Sequence, residues 1–416
     1  MRIAMMTNNY KPVVGGVPIA IERLAQGLRE RGHVVYIFAP QYEGYAHEEE
    51  YVIRYRAFRK KAGGYVPLMK PFDLEMERLF QALDFDLIHV HHPVMIGQRA
   101  QYLGRKYGVP VVFTYHTQYE QYLHYWKPYR WLKEKGGRLE NKIVKFVEQQ
   151  LVLGVIRQFT DRCSLVLTPT RKVQEILQER GWQADTAVLA TGLPDSFYSE
   201  YWERQTNERL SREFIRRTYG KGKRHLLCTV ARLSAEKNLK FLLRSLAVLK
   251  DRAGDDFQFL VIGDGPQKAE LEFYVQQLGI SDNVTFLGTV PNEEVPAFHC
   301  ASDLFLFASQ SETQGIVLLE AMAGGSPVVA VQATGVLDVV FSGENGYVTS
   351  ESEEEFAKCA EQALSDPELY QRLSEGAAET SGRFRNRTIA WRAECAYEQV
   401  VLEHRGVKKE RLFLHI

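Results

Sequence analysis

The chain has 416 residues, 45% hydrophobic and 25% charged, enough for two globular domains with cores of their own. No apolar run approaches the roughly 20 residues of a membrane-spanning helix, which excludes a helical membrane span. Lys+Arg and Asp+Glu stand at 52 each, which argues against a strongly basic nucleic-acid binder.

That balance hides an asymmetry. Residues 1–195 carry 27 Lys+Arg against 20 Asp+Glu, and residues 196–416 carry 25 against 32. A basic half joined to an acidic half points to an anionic partner for the first. The N-terminus, MRIAMMTNNYKP, runs straight into a strand pattern and lacks the long apolar core of a signal peptide. Five widely spaced cysteines with no CxxC spacing suit a reduced, cytosolic protein.

Taken in order, Arg2–Met6 reads as a strand, Val17–Arg31 as an amphipathic helix and Val34–Ala39 as the next strand. The loop of this βαβ unit ends in Gly15-Gly16, a pair that lets a ligand approach the backbone at a helix start. It is not a full GxGxxG fingerprint, which counts against a dinucleotide cofactor. A basic run without acids, Arg54–Lys61, comes next and reads as a solvated helix or loop face, or as a lipid-facing surface.

Leu87–Val90 and Val109–Thr114 read as further strands, tipped by His91–Pro93 and by Tyr115–Tyr125. In open α/β sheets ligands gather at the carboxyl ends of strands, so both tips face the expected crevice. His91 and His92 invite a metal reading, but no second cluster at ligand spacing exists and no metal is expected. His116, one residue past a buried-type strand, is a candidate site residue or a satisfied structural histidine. Residues 123–160 carry eight Lys/Arg against three Glu, interleaved with aromatics. This composition suits an anionic membrane interface; Trp126, Lys127, Arg130, Trp131 and Lys133 within it, and Tyr119 and Tyr122 just before it, are the acceptor-side or membrane candidates. The bland alternative is a solvated helix face.

After Leu165–Pro169, a helix at Arg171–Arg180 and Thr191–Pro194, the polar stretch 195–224 reads as the connection between domains. A second α/β series begins at Leu226–Ala231. Its loop carries Arg232 and Lys237, cations able to neutralise a diphosphate. Phe257–Ile262 leads into Gly263-Asp264-Gly265-Pro266, and Val284–Gly288, a helix near Glu293–Cys300 and Asp303–Ala308 follow. Ser309–Gly325 sets Glu312 before a helix expected at Gly315–Ala323 and Glu320 about two turns into it. Either these two acids flank an anion site at the helix start, or Glu312 is a cap, Glu320 a solvated residue and the glycines a turn. The amphipathic helix from Phe384 could pack back on the first domain.

In order and at matching distances, Gly15-Gly16, ARLSAEKN (231–238), GDGP (263–266) and E-x7-E (Glu312, Glu320) resemble the retaining glycosyltransferases of family four. That resemblance implies an α/β GT-B fold, with two Rossmann-like doubly wound domains facing across a cleft. Residues 1–195 would bind the acceptor, 196–384 the nucleotide sugar, and 385–416 would form a C-terminal helix and tail. A narrower match, YHTQYEQYLHY with Thr313-Gln314-Gly315 after Glu312, is similar to bacterial diacylglycerol glucosyltransferases acting at the cytoplasmic membrane face.

The resemblance implies roles. Arg232 and Lys237 would hold the diphosphate of a UDP-sugar, helped by the N–H groups of Gly315 and Ile316. Glu320 would bind the ribose, Glu312 a sugar hydroxyl, His116 the sugar. Gly15, Gly16 and Gly263 would let substrate lie against the backbone, Thr313 and Gln314 would border the donor, and Leu287–Val290 would flank the uracil. Attack would occur on the same face of the sugar, without a metal or other cofactor, from a lipid acceptor at an anionic membrane surface. Three alternatives remain: a relative with a soluble acceptor such as a sugar phosphate, inositol-type or polysaccharide precursor; a sugar-nucleotide epimerase; and a non-catalytic nucleotide- or lipid-binding protein. The E-x7-E block with the RLSAEK loop argues against the last two.

Overall fold

The structure, a computed structural model, describes residues 1–13, 15–45, 49–62, 66–69, 73–116, 152–202, 208–309, 312 and 314–407. They form two compact units. The first holds Met1–Gly192 together with the helix from Arg387 onward, and the second is Leu193–Asn386.

The first unit is built on a parallel sheet of seven strands. These are β1 (Arg2–Met6), β2 (Val34–Pro40), β3 (Val52–Tyr55), β6 (Leu87–Val90), β7 (Val111–Thr114), β8 (Leu165–Thr168) and β9 (Thr186–Val188). Their spatial order is β3-β2-β1-β6-β7-β8-β9, so the winding reverses between β1 and β6. β4 (Ala57–Ala62) and β5 (Val66–Met69) form a separate antiparallel hairpin. Every residue of β6, β7 and β8 is buried, as expected for strands covered by crossover helices on both faces.

The second unit repeats the plan with β10 (His225–Val230), β11 (Phe257–Ile262), β12 (Val284–Gly288), β13 (Leu304–Phe307), β14 (Val328–Val331) and β15 (Gly346–Thr349). The order is β12-β11-β10-β13-β14-β15, all parallel, reversing between β10 and β13. Side chains alternate between two cores. Cys228, Leu260, Phe305 and Val328 join one, and Leu227, Phe259, Leu304 and Val329 the other.

Two expectations are corrected. The polar stretch after residue 195 is no bare connection: helices Ser199–Trp202 and Arg212–Tyr219 lie in it, and Phe197, Tyr198 and Ile215 are buried in the second core. A few apolar anchors suffice there, and they are invisible to average composition. Just before this stretch, Leu193 makes a single bridge to Arg385, and β9 lies earlier. The basic run at Arg54 is neither helix nor loop but the end of β3 and β4. Arg54 itself turns inward, ion-paired to Glu49 and donating to the carbonyls of Lys11 (2.8 Å) and Pro40 (3.1 Å).

The C-terminal helix, Asn386–His404, belongs to the first unit. Ile389, Ala390, Ala393 and Tyr397 are its buried side. Tyr397 Oη lies 2.7 Å from His89 Nδ1, and Glu394 pairs with Arg31 and His33. His404 Nε2 lies 2.9 Å from the Gly108 carbonyl, whose helix end leaves such acceptors free.

Candidate active site

In the second unit two loops leave the carboxyl ends of β10 and β13, the neighbours at which the strand order reverses. Such a reversal opens a crevice because successive loops diverge to opposite sides of the sheet. The first loop tightens into a single 3-10 turn, Ala235–Lys237. Asn238, left-handed at φ 52°, then redirects the chain into helix Leu239–Ala253. Arg232 is exposed on this loop. Lys237 Nζ forms an ion pair with Glu312 Oε1 on the second loop, with 24% and 21% of the two side chains open to solvent. Both groups are therefore within reach of a ligand. Ser309 Oγ donates to the Glu236 carbonyl (3.3 Å), a second tie between the loops.

The GDGP turn is shaped by close backbone approach. Gly263 has φ 129°, and a Cβ there would stand 2.0 Å from the Ala231 oxygen. Its N–H donates to Gly288 (2.8 Å), and Leu233 N–H donates to Asp264 (3.0 Å), locking the loops after β10, β11 and β12 together. Leu287 and Val290 pack, partly buried, on the adjoining core.

Helix Ile316–Ala323 follows Glu312, with left-handed Gly315 (φ 67°) as its N-cap. It starts one residue later than the expected helix, so Glu320 is its fifth residue, little more than one turn in rather than two. Glu320 is only 9% exposed, which removes the reading of a solvated helix residue. Gln314 is buried, Ile316 partly so, and Thr313 lies outside the described residues. Sequence reasoning passed over Gly335. Its N–H donates to the Glu312 carbonyl (3.1 Å), and a Cβ on it would come within 2.8 Å of Gln314 N and 3.0 Å of that carbonyl. A TG pair opening a short helix was the only available signal.

In the first unit Gly15 and Gly16 open helix Gly16–Glu30 at the reversal beside β1. Neither needs to be glycine for its own backbone. Gly15 is extended at φ 173°, and a Cβ on Gly16 would meet nothing within 4 Å. At the ends of β6 and β7 stand the histidines. His92 Nδ1 accepts from Asn8 N–H (3.2 Å), tying the loop after β1 to β6. His91 Nδ1 lies 2.9 Å from His116 Nε2, and the two rings stack at 5.1 Å. Burial pushes His116 down to about 3 and His91 well below the usual histidine range, so both rings are neutral at ordinary pH. The membrane and acceptor candidates Tyr119, Tyr122, Trp126, Lys127, Arg130, Trp131 and Lys133 all lie outside the described residues.

Two doubly wound parallel units, each with a strand-order reversal at its centre, define the fold of the GT-B glycosyltransferases. Residues 14–197 match the family model "Glycosyltransferase Family 4", and residues 211–380 match "Glycosyl transferases group 1". The chain belongs to this glycosyltransferase family. It is 31% identical over 337 residues to an alpha-monoglucosyldiacylglycerol synthase of Streptococcus pneumoniae, covering 79% of this chain and 71% of that one. A synthase of the same name from Acholeplasma laidlawii is 26% identical over 96% of this chain and 98% of its own. Among solved structures, Anabaena HepE in complex with UDP superposes with a TM-score of 0.71 at 20% identity, covering 96% of this chain and 100% of that one. Among the described residues, no helix is long and apolar enough to cross a membrane.

Proposed function

We propose that the protein transfers a hexose, glucose in the first instance, from a UDP-sugar to a diacylglycerol-type lipid with retention of anomeric configuration. The observation that carries the donor half is the Lys237–Glu312 pair, which joins the loops after β10 and β13. Lys237 and the exposed Arg232 neutralise the diphosphate. The N–H groups of Gly315 and Ile316 add the positive end of a helix. Glu312 receives a sugar hydroxyl, and Glu320, held in the core-facing helix, receives the ribose. Thr313 and Gln314 border the donor, Leu287 and Val290 flank the base, and His116 contacts the sugar.

In the transfer, the bond from the anomeric carbon to the leaving phosphate oxygen breaks through an oxocarbenium-like state. The acceptor oxygen bonds to the same face of that carbon, and its proton passes to the leaving phosphate. Glu312 orients the sugar and forms no bond to it, so the paired-carboxylate logic of glycosidases is not used. The charge that grows on the leaving group is met by Arg232 and Lys237. No obligatory metal enters this scheme.

The lipid half is supported by the two synthases that match the chain and by the cationic, aromatic composition of residues 123–160. On this reading the protein works as a peripheral enzyme at the inner face of the cell membrane. The test is a panel of radiolabelled UDP-sugars incubated with the protein and mixed lipid–detergent micelles. Label from UDP-glucose should enter the organic phase. Label that stays in water-soluble product would instead assign a soluble acceptor, and label arriving only from another UDP-sugar would replace glucose.

A further inference from the structure

We propose that His92 is an acceptor-binding residue of the first unit, presenting its Nε2–H as a fixed hydrogen-bond donor to an uncharged oxygen of the acceptor.

The opposite nitrogen sets the direction of the ring. The backbone N–H of Asn8 points at His92 Nδ1, 3.2 Å away. A backbone N–H can only donate, so Nδ1 must offer its lone pair. Thr7 Oγ1 stands 3.2 Å from the same nitrogen. Burial holds His92 down at about 4, so the ring is neutral at ordinary pH and carries one proton. That proton belongs on Nε2. With Nδ1 committed to Asn8, His92 has no lone pair left to take a proton from a substrate, and it acts as a donor only.

Both hydrogen bonds from the ring to described residues run through Nδ1, and the side chain is only partly buried, which leaves Nε2–H open to a ligand. His92 stands two residues past β6, at the reversal between β1 and β6. Ligands of doubly wound sheets gather at such a reversal.

The corner is held firmly and at a cost. Asn8 Nδ2 donates to the Val94 carbonyl (2.9 Å) and His91 N–H to the Met6 carbonyl (2.9 Å), so the loops after β1 and β6 are tied on both sides of His92. The His92 carbonyl lies so near helix Ile96–Tyr107 that a Cβ on Gly97 would come within 2.5 Å of it. Met95, between them, has a left-handed φ of 60°, and Asn8 Oδ1 is buried with no partner among the described residues. Both features cost stability, and such costs gather where a functional group must be held in place.

The proposal rests on the reading that the first unit binds the acceptor. A neutral N–H brings no charge to offset a phosphate. The cations beside this loop, Lys11 and Arg54, are already ion-paired to Glu22 and Glu49. A hydroxyl or ester carbonyl of an uncharged acceptor suits such a donor.

The experiment compares two variants of the full-length protein in initial-rate assays with UDP-glucose and dioleoylglycerol in mixed micelles, beside thermal melts. His92→Asn keeps an oxygen near the Nδ1 position for the Asn8 N–H and removes the donor at Nε2. Its melting midpoint should be nearly unchanged and its acceptor KM about tenfold higher, with donor KM and kcat within about twofold of wild type. His92→Gln puts an amide N–H near the Nε2 position and gives up the tie to Asn8. It should melt lower yet hold acceptor KM within about threefold. Long-range proton–nitrogen NMR of wild type labelled with ¹⁵N-histidine should show His92 as the Nε2–H tautomer, its Nε2 signal moving with dioleoylglycerol micelles and not with empty ones. An Nδ1–H tautomer, an unchanged acceptor KM in folded His92→Asn, a rise in donor KM instead, or a His92→Gln that is the worse variant in both melting and acceptor KM overturns the proposal. If label from UDP-glucose passes only to a water-soluble product, the lipid reading falls, and the same two variants assayed on that acceptor still decide the role of His92.

Discussion

Lys237 and Glu312 are 75 residues apart in sequence, yet their side chains form an ion pair where the loops after β10 and β13 meet. Both are partly open to solvent, so the pair contributes little to stability, in the range of about 0–1 kcal/mol for exposed pairs. In the proposed reaction it holds a cation and an acid together before substrate arrives.

Lys237→Ala should therefore leave the thermal midpoint nearly unchanged and lower kcat on the order of 10²-fold, the scale of losing one preorganised group at a developing charge. Steady-state kinetics beside a melting curve separate the two effects, and turnover within twofold of wild type would remove Lys237 from the site. If cations supply the charge, as proposed, activity should also survive EDTA. A strict requirement for an added divalent ion would overturn the cationic account of the diphosphate.

Glu320 is nearly buried in helix Ile316–Ala323, which sits against the core through Leu318, Leu319 and Met322. Its position is thus rigid, as a binding group requires. Glu320→Gln conserves its volume and removes the charge. Donor KM should rise about tenfold with kcat reduced less, because a ribose contact binds ground state and transition state alike. An unchanged donor KM, measured by initial rates over a range of UDP-sugar, would contradict the ribose role.

Gly16 separates a structural reading from a functional one. A methyl group there meets no described atom within 4 Å, and an alanine in the first turn of a helix is favourable. Gly16→Ala should hold or raise stability by up to about 1 kcal/mol while weakening substrate binding through loss of backbone approach. Gly335→Ala is the contrasting case. Its methyl presses on Gln314 N and the Glu312 carbonyl, so activity should fall together with about 1–3 kcal/mol of stability. Denaturant melts and KM for each variant check the contrast, and normal KM in Gly16→Ala would leave that glycine without a substrate role.

Several strands were legible because apolar residues dominate them. β1, β6, β11 and β12 fall where apolar residues cluster between polar tips. The short strands β9 and β15, and β3 with Arg54 in it, carry no such signature and emerge only through pairing in the sheet. Arg232, Lys237, Glu312 and Glu320 could be singled out from their pattern. That Lys237 meets Glu312 could not, since it follows from the strand order. Gly335 was hidden for a similar reason, its partner being a backbone carbonyl on another loop. His91 and His92 read as an adjacent pair with metal potential, but adjacency in a chain is not convergence in space. The two rings serve different partners, Asn8 and His116.

The same histidines should set the acid limit of the fold. Burial lowers His89 to about 3, His92 to about 4, His116 to about 3 and His91 well below its ordinary range, all in the first unit. In the second unit His299 is pushed down to about 3, with neither ring nitrogen partnered among the described residues. A base whose folded pKa is depressed stays neutral in the native state while the unfolded chain takes up a proton below about pH 6.5. Its contribution is therefore complete above that pH and is lost as pH falls toward the folded value. Each such histidine removes about 1.4 kcal/mol per pH unit in that window. Burial lowers His225 in the second unit as well, and four against two still makes the first unit the steeper. Between about pH 6.5 and about pH 4.5 the first unit should lose protection before the second, including the C-terminal helix tied to His89 through Tyr397. Pulsed hydrogen exchange across a urea titration, read by peptide at about pH 7 and about pH 5, measures both slopes. Equal slopes in the two units would show that the buried histidines do not govern acid stability.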